Sequence, residues 1–164
     1  MSIPSDRHSS LYFSILALIL LTGCASQPTQ KDNPWKAQGV DTTPTLLGDF
    51  HGVLPCADCP GIDTYLTLTQ YGPFIAEGTY VLKQAYLGRS VKPLEIKGDW
   101  TTLRGDDADE NAVVYQLDPD HPEHSLYFAK RGKNKIEQLD SNLKPMSSKL
   151  NFTLTKPGSA KPKN

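Results

Sequence analysis

Between residues 46 and 155 the chain alternates. Ile62, Thr64, Leu66 and Leu68 interleave with Asp63, Tyr65, Thr67 and Thr69, which sends one set of side chains to each face of an extended strand. Comparable runs cover about Leu47 to Leu54, Phe74 to Tyr86, Leu94 to Leu103, Ala112 to Asp118, Ser125 to Arg131, Lys135 to Leu139 and Leu150 to Thr155. Between them fall Tyr71-Gly72-Pro73, Gly105-Asp106-Asp107, Pro119-Asp120-His121-Pro122 and Gly132-Lys133-Asn134, residues that impose or tolerate turn geometry. No stretch keeps a helical period over three turns. Eight short strands in a meander predict an all-β fold, an eight-stranded antiparallel barrel over 46–156. Closure removes the sheet edges, and eight strands leave an interior that side chains fill or that holds one small ligand.

Upstream of this pattern, Leu11 to Leu21 is the only long apolar run. As a helix it would rise about 16 Å, too short for a hydrocarbon core of about 30 Å, but it has the length of a secretory h-region and follows Arg7. Asp6 offsets Arg7, so charge adds little. The end of the run adds more: Leu21-Thr22-Gly23-Cys24 resembles the bacterial lipobox, whose cysteine is diacylated, freed by cleavage before it, and acylated again on the new amine. The expected organisation is a lipoprotein signal peptide at 1–23, then lipidated Cys24 and a flexible tether over 24–45. Several acyl chains anchor stably where one would not. Ala25 stands where the sorting pattern places Asp in lipoproteins kept at the inner membrane, so the expected location is the periplasmic face of the outer membrane. The tether is rich in Pro, Thr, Gln and Asp and cannot bury enough surface to order itself; about 20 such residues reach on the order of 25 Å. Residues 157–164 read as a disordered basic tail.

Composition narrows the function classes. The 17 Lys and Arg balance 18 Asp and Glu for a net charge of -1, which gives no dense basic surface for a polyanion, so nucleic acid is not expected as a partner. There are three cysteines, an odd number; assigning Cys24 to lipid leaves Cys56 and Cys59 as a local pair.

That pair sits in Leu54-Pro55-Cys56-Ala57-Asp58-Cys59-Pro60-Gly61-Ile62, a loop between the first two predicted strands. Three chemistries compete. Reduced, two thiolates select a soft ion such as Cu(I), whereas structural zinc wants four ligands; His51 and Met146 are candidate additional ligands. Oxidised, the pair forms a small disulfide suited to an oxidising compartment. Dithiol catalysis of the thioredoxin kind wants a helix starting at the first cysteine, and none is predicted here.

His51-Gly-Val-Leu-Pro-Cys-Ala-Asp-Cys-Pro-Gly-Ile62, Leu66 and Leu68, Gly98-Asp-Trp100, and Leu139-Asp-Ser-Asn-Leu-Lys-Pro-Met146 ahead of Leu150-Asn-Phe-Thr-Leu154 together resemble the N-terminal domain of the NlpE lipoprotein family. The likeness runs over about residues 46 to 155. It implies a lipocalin-like barrel on an outer-membrane lipoprotein, linked to copper tolerance, surface sensing and activation of an envelope-stress histidine kinase through its periplasmic sensor domain. Cys56 and Cys59 are the family's motif cysteines, and no catalytic residue carries over, so no enzyme is expected. Fuller members continue into an OB-fold domain with its own cysteines; with the sequence ending at Asn164, signalling through such a domain is not expected.

Other candidates are weaker. His121-Pro-Glu-His124 beside Asp118 and Asp120 has metal-ligand spacing but reads better as a solvated hairpin loop. Asp107, Asp109, Asn111 and Asp118 mimic calcium-loop positions, but Ala112 replaces the required glycine and a strand follows. Trp100, Tyr65, Tyr80 and Tyr115 either line a cavity or pack the core. No hydrolase elbow, phosphate loop or zincin motif occurs. The leading expectation is a binding and signalling lipoprotein; a copper-handling protein and a lipocalin-type carrier of a small ligand are the alternatives.

Overall fold

A computed structural model describes residues 38–158. The expected signal peptide, Cys24, residues 24–37 of the tether and residues 159–164 of the tail lie outside the described residues. The alternation resolves into β1 (Thr45–Leu54), β2 (Ile62–Gln70), β3 (Glu77–Tyr86), β4 (Leu94–Arg104), β5 (Val113–Leu117), β6 (Leu126–Lys130), β7 (Lys135–Leu139) and β8 (Thr153–Thr155). Each pairs antiparallel with the next, and β8 returns to β1 through His51 and Thr155, closing the barrel.

Two boundaries differ from expectation. The third strand begins at Glu77, because Gly72 to Ala76 form a turn in which Ile75 N–H donates to Gly72 and Tyr71 N–H to Glu77. The Tyr71 hydroxyl donates to Asp99 at 2.7 Å, holding the turn so that Ile75 is buried and Phe74 stands 90% exposed. The last strand is only three residues long. Asn151 displaces its beginning: its Nδ2 donates to the Val53 and Thr153 carbonyls while its Oδ1 accepts from Thr153 N–H.

Inward positions of all eight strands supply one core, including Phe50, Leu66, Leu68, Tyr80, Leu82, Trp100, Tyr115, Leu117, Phe128, Ile136 and Leu154. These side chains occupy the barrel interior, so Trp100, Tyr80 and Tyr115 are core residues, whereas Tyr65 faces outward. The tightest place is around Trp100, which is paired across the sheet with Gly78. Its indole N–H is shared between the Thr69 and Thr79 carbonyls, 3.2 and 3.0 Å away, and its ring meets Tyr115 edge-on. A Cβ at Gly78 would lie 1.9 Å from the Thr69 carbonyl oxygen, and one at Gly98 would lie 2.9 Å from the Tyr80 ring. Glycine there is a steric requirement of strands bent around a large indole.

A second, smaller cluster lies on the outer face, where Val114, Ala129 and Leu139 are covered by Leu143. The covering loop is organised by Asp140, whose carboxylate accepts from the Asn142 and Lys144 N–H groups. It is tied to the β4–β5 turn by Asp107 N–H donating to Leu143. Beneath that turn the Asp106 side chain is covered, its Oδ1 accepting from Ala108 and Asp109 N–H groups. Its Oδ2 lies 2.6 Å from the Arg131 guanidinium, an ion pair with no aligned hydrogen bond; Arg131 also pairs with Glu137.

Replacing Gly78 by alanine is expected to cost about 2 kcal/mol or more through overlap with backbone that cannot yield. Gly132→Ala, at a positive φ with open space around it, costs only about 1 kcal/mol of conformational preference. Urea unfolding of the two variants checks the order. Burial pushes the Asp106 carboxyl up, but the Asp109 N–H, Arg131 and the Ala108 N–H outweigh it and hold the pKa below the ordinary value. A depressed carboxylate stabilises the fold above its unfolded pKa and loses that contribution as pH falls through the folded value. Asp106→Asn is therefore expected to be less stable at neutral pH and to show a shallower loss of stability between about pH 4 and lower pH than the parent chain, read by unfolding across that range.

Candidate functional site

Residues 55–61 carry the chain from β1 to β2 over one pole of the barrel. Both β1 and β3 run toward this pole, so the β1 start at Thr45 and the β8 end at Thr155 lie at the opposite one. Leu54 is buried and pairs with Ile62, which fixes both feet of the loop, while Ala57 and Asp58 at its tip are exposed. Cys56 and Cys59 are joined as a disulfide with their Cα atoms 5.3 Å apart. Cys59 Sγ lies 3.2 Å from the Gly61 carbonyl; the oxidised sulfur has no proton to donate, and only reduction would turn this approach into a hydrogen bond.

The loop is latched to its neighbour. Arg89, in the connection between β3 and β4, forms an ion pair with the Asp58 carboxylate and donates to the Asp58 carbonyl at 3.2 Å. Leu87 N–H donates to Gly61 at 3.0 Å. Gly61 has a positive φ, and a Cβ there would collide with Val53 at 2.4 Å, so the Pro-Gly that ends the motif is the joint on which the loop closes over β1.

Around the pole several large apolar side chains are exposed: Val53, Leu87, Val91, Leu94, Ile96 and Leu150. Leu94 and Ile96 are exposed for a topological reason. β4 pairs with β3 from Leu94 onward, but with β5 only from Trp100, so Leu94 to Gly98 have no second strand partner among the described residues. On the outer surface Glu95 pairs with both Lys83 and Lys97, a charged cover of the kind that discourages nonspecific edge pairing.

The remaining candidates disperse. His51 faces outward from β1, stacked on Tyr65 with ring centroids 4.0 Å apart and with Nε2 2.6 Å from Asp63. Met146 follows Pro145, which bridges to Leu139 at the end of β7. His121 Nδ1 meets Asp118 at 2.9 Å, and that bond raises its pKa; His124 lies beside Glu123 instead. Among the described residues no three His, Cys, Asp or Glu side chains come together as a metal-binding group. The cysteine loop connects two strands, and no helix starts at Cys56. The Arg89 latch and the open β4 edge were missed by sequence reasoning. A lone arginine in a turn carries no local signal, and an edge depends on which strand stops first.

Comparison with known proteins fits this picture. Residues 50–149 match the model of the NlpE N-terminal domain. Over 141 residues the chain is 32% identical to Lipoprotein NlpE of Escherichia coli (strain K12), covering 86% of this chain and 53% of that protein; the chain thus spans about half the length of that curated relative. The crystal structure of the Cpx pathway activator NlpE from Escherichia coli is 32% identical, covers 69% of this chain and 52% of its own, and superposes with a TM-score of 0.42. A Shewanella oneidensis protein assigned as a lipoprotein is 25% identical, with a TM-score of 0.47 over 77% of this chain and 97% of its own. With a family model covering most of the barrel and a relative of this identity, the chain belongs to the NlpE lipoprotein family, and its barrel is the family's N-terminal domain.

Proposed function

We propose that this chain is an envelope-stress lipoprotein, anchored through Cys24 at the periplasmic face of the outer membrane, whose barrel presents the Cys56–Cys59 loop to the periplasmic sensor domain of a histidine kinase. One observation carries the reading: the motif loop is latched by Arg89 at the pole opposite the start of β1 and the end of β8, beside an open strand edge and exposed apolar side chains. An N-terminal anchor leaves that pole free to meet a partner. The Escherichia coli relative described as a Cpx pathway activator supports the same assignment, and the packing of inward side chains from all eight strands weighs against a small-ligand carrier. No catalytic role is assigned to any residue.

Overproduction is expected to raise envelope-stress reporter output in the protein's own host, and Arg89→Glu, which sets two acidic groups against each other at Asp58, to lower that response several-fold without unfolding the barrel. Equal output from the parent and the Arg89→Glu chain would remove the latched loop from the signalling surface.

Copper handling is the second reading, favoured by the closeness of the two cysteines. A dithiol donor that gives two electrons and two protons would convert the disulfide into two adjacent thiols, and their thiolates suit Cu(I). The site then has two sulfur ligands, with the Asp58 carboxylate 3.6 Å from Cys56 Sγ, while His51 is engaged by Asp63 and Tyr65. Copper tolerance would follow from Cu(I) capture by the reduced loop. Anaerobic titration of the reduced protein against a Cu(I) competitor is expected to show at least a tenfold loss of affinity, about 1.4 kcal/mol, in Cys56→Ser, Cys59→Ser; unchanged affinity would exclude the loop as the copper site.

A further inference from the structure

At the pole where β1 begins and β8 ends, four lysines converge. Lys130 ends β6, Lys133 lies in the following turn, Lys135 opens β7 and Lys156 follows β8. They surround a depression of about 150 Å³ whose apolar lining is Leu47, Phe50 and Tyr115, with Gly132 completing it and no acidic residue in its wall. Lys156 is built into this mouth. Its ammonium donates to the Leu47 carbonyl at 2.9 Å and lies 5.4 Å from the centre of the Phe50 ring. Its stem crosses Gly48 so closely that a Cβ there would meet Lys156 Cε at 2.6 Å. No salt bridge to a carboxylate forms at Lys130, Lys133 or Lys135 among the described residues.

The acidic residues of this pole are set apart from the mouth. Asp106 is committed to Arg131, Asp107 faces Lys144 and Asp49 accepts from the Thr67 hydroxyl, while Asp41, Glu77, Asp109 and Glu110 lie on other segments of this pole, outside the wall of the mouth. An anionic surface would repel those segments and draw the β6–β7 side. Lysines are hydrated point charges on flexible stems, without the planar fork with which arginine grips a single phosphate. Four of them ringing an apolar floor suit a sheet of negative charge with apolar matter beneath it. The chain's net charge of -1 conceals this polarity.

We propose that the basic mouth docks on the phosphate headgroups of anionic lipids in the membrane to which the chain is tethered, so that the barrel lies on the bilayer with its cysteine pole pointing away. The inference rests on the anchored reading above. Each lysine near an anionic membrane surface strengthens docking about fivefold, and the attraction weakens with salt.

The test uses the full chain with vesicles of phosphatidylcholine alone or mixed with phosphatidylglycerol, reading lysine acylation rates by mass spectrometry. Lys130, Lys133 and Lys135 are expected to label several-fold more slowly on the mixed vesicles, with Lys83 and Lys97 unchanged and the protection lost at high salt. Lys133→Gln, Lys135→Gln should weaken docking about 25-fold and return Lys130 to its rate on neutral vesicles. Equal labelling on both vesicle types overturns the proposal. Equal protection by inorganic phosphate with neutral vesicles also overturns it, in favour of a free-anion site. Flotation on neutral vesicles reads the anchor separately: a chain that does not float there but is still protected by the mixed vesicles contradicts the anchor and supports the mouth.

Discussion

The indole of Trp100 sits inside the barrel and gives its single N–H to two carbonyls, Thr69 on β2 and Thr79 on β3. Three consecutive strands are thereby tied around one side chain, at a place where Gly78 is the only residue that fits beside the Thr69 backbone. A fully buried indole cannot leave its N–H unpaired without a penalty on the order of 1–3 kcal/mol, so the bend of the sheet and the glycine opposite follow from its position. Inward side chains of all eight strands pack around it. The two poles are where the surface departs from a closed, charged cylinder.

Those poles differ in chemistry because the strands differ in length. β1 to β4 are long, whereas β5 to β8 have three to five residues each. The excess length of β4 rises past β5 as an open edge with Leu94 and Ile96 uncovered, beside the disulfide loop. At the other pole the short β6–β7 hairpin and the end of β8 bring lysines together over Phe50 and Tyr115. A barrel lying on anionic lipid by its basic mouth would hold the cysteine loop away from the bilayer, and docking and signalling then become two consequences of one asymmetry.

The outer face has its own organisation. Asp140 folds the loop that lays Leu143 over Val114 and Ala129. The half-buried Asp106–Arg131–Glu137 chain of charges holds the turn against which that loop rests. Such a network is costly to bury unless satisfied, and backbone N–H groups at Asp106 supply most of what one guanidinium could not.

The sequence by itself determined the all-β meander, because a period of two is a local property that alternating residues such as Ile62 to Thr69 carry whatever surrounds them. It also marked the cysteine pair and most strand boundaries, since Gly, Pro and Asp act on their own backbone. It misplaced the start of β3 at Phe74, whose apolar side chain reads as strand although the turn held by Tyr71 and Asp99 turns it outward. It also offered His51 and Met146 as partners of the cysteines, which was composition without distance. Only the tertiary structure decided that His51 belongs to Asp63 and Tyr65, that Arg89 clasps Asp58 across 31 positions of sequence, and that Lys130, Lys133, Lys135 and Lys156 share one mouth. Arg89 to Asp58, and Lys156 to the Lys130–Lys135 hairpin, join residues far apart along the chain, and their distances are set by barrel closure and strand length, which no local pattern contains.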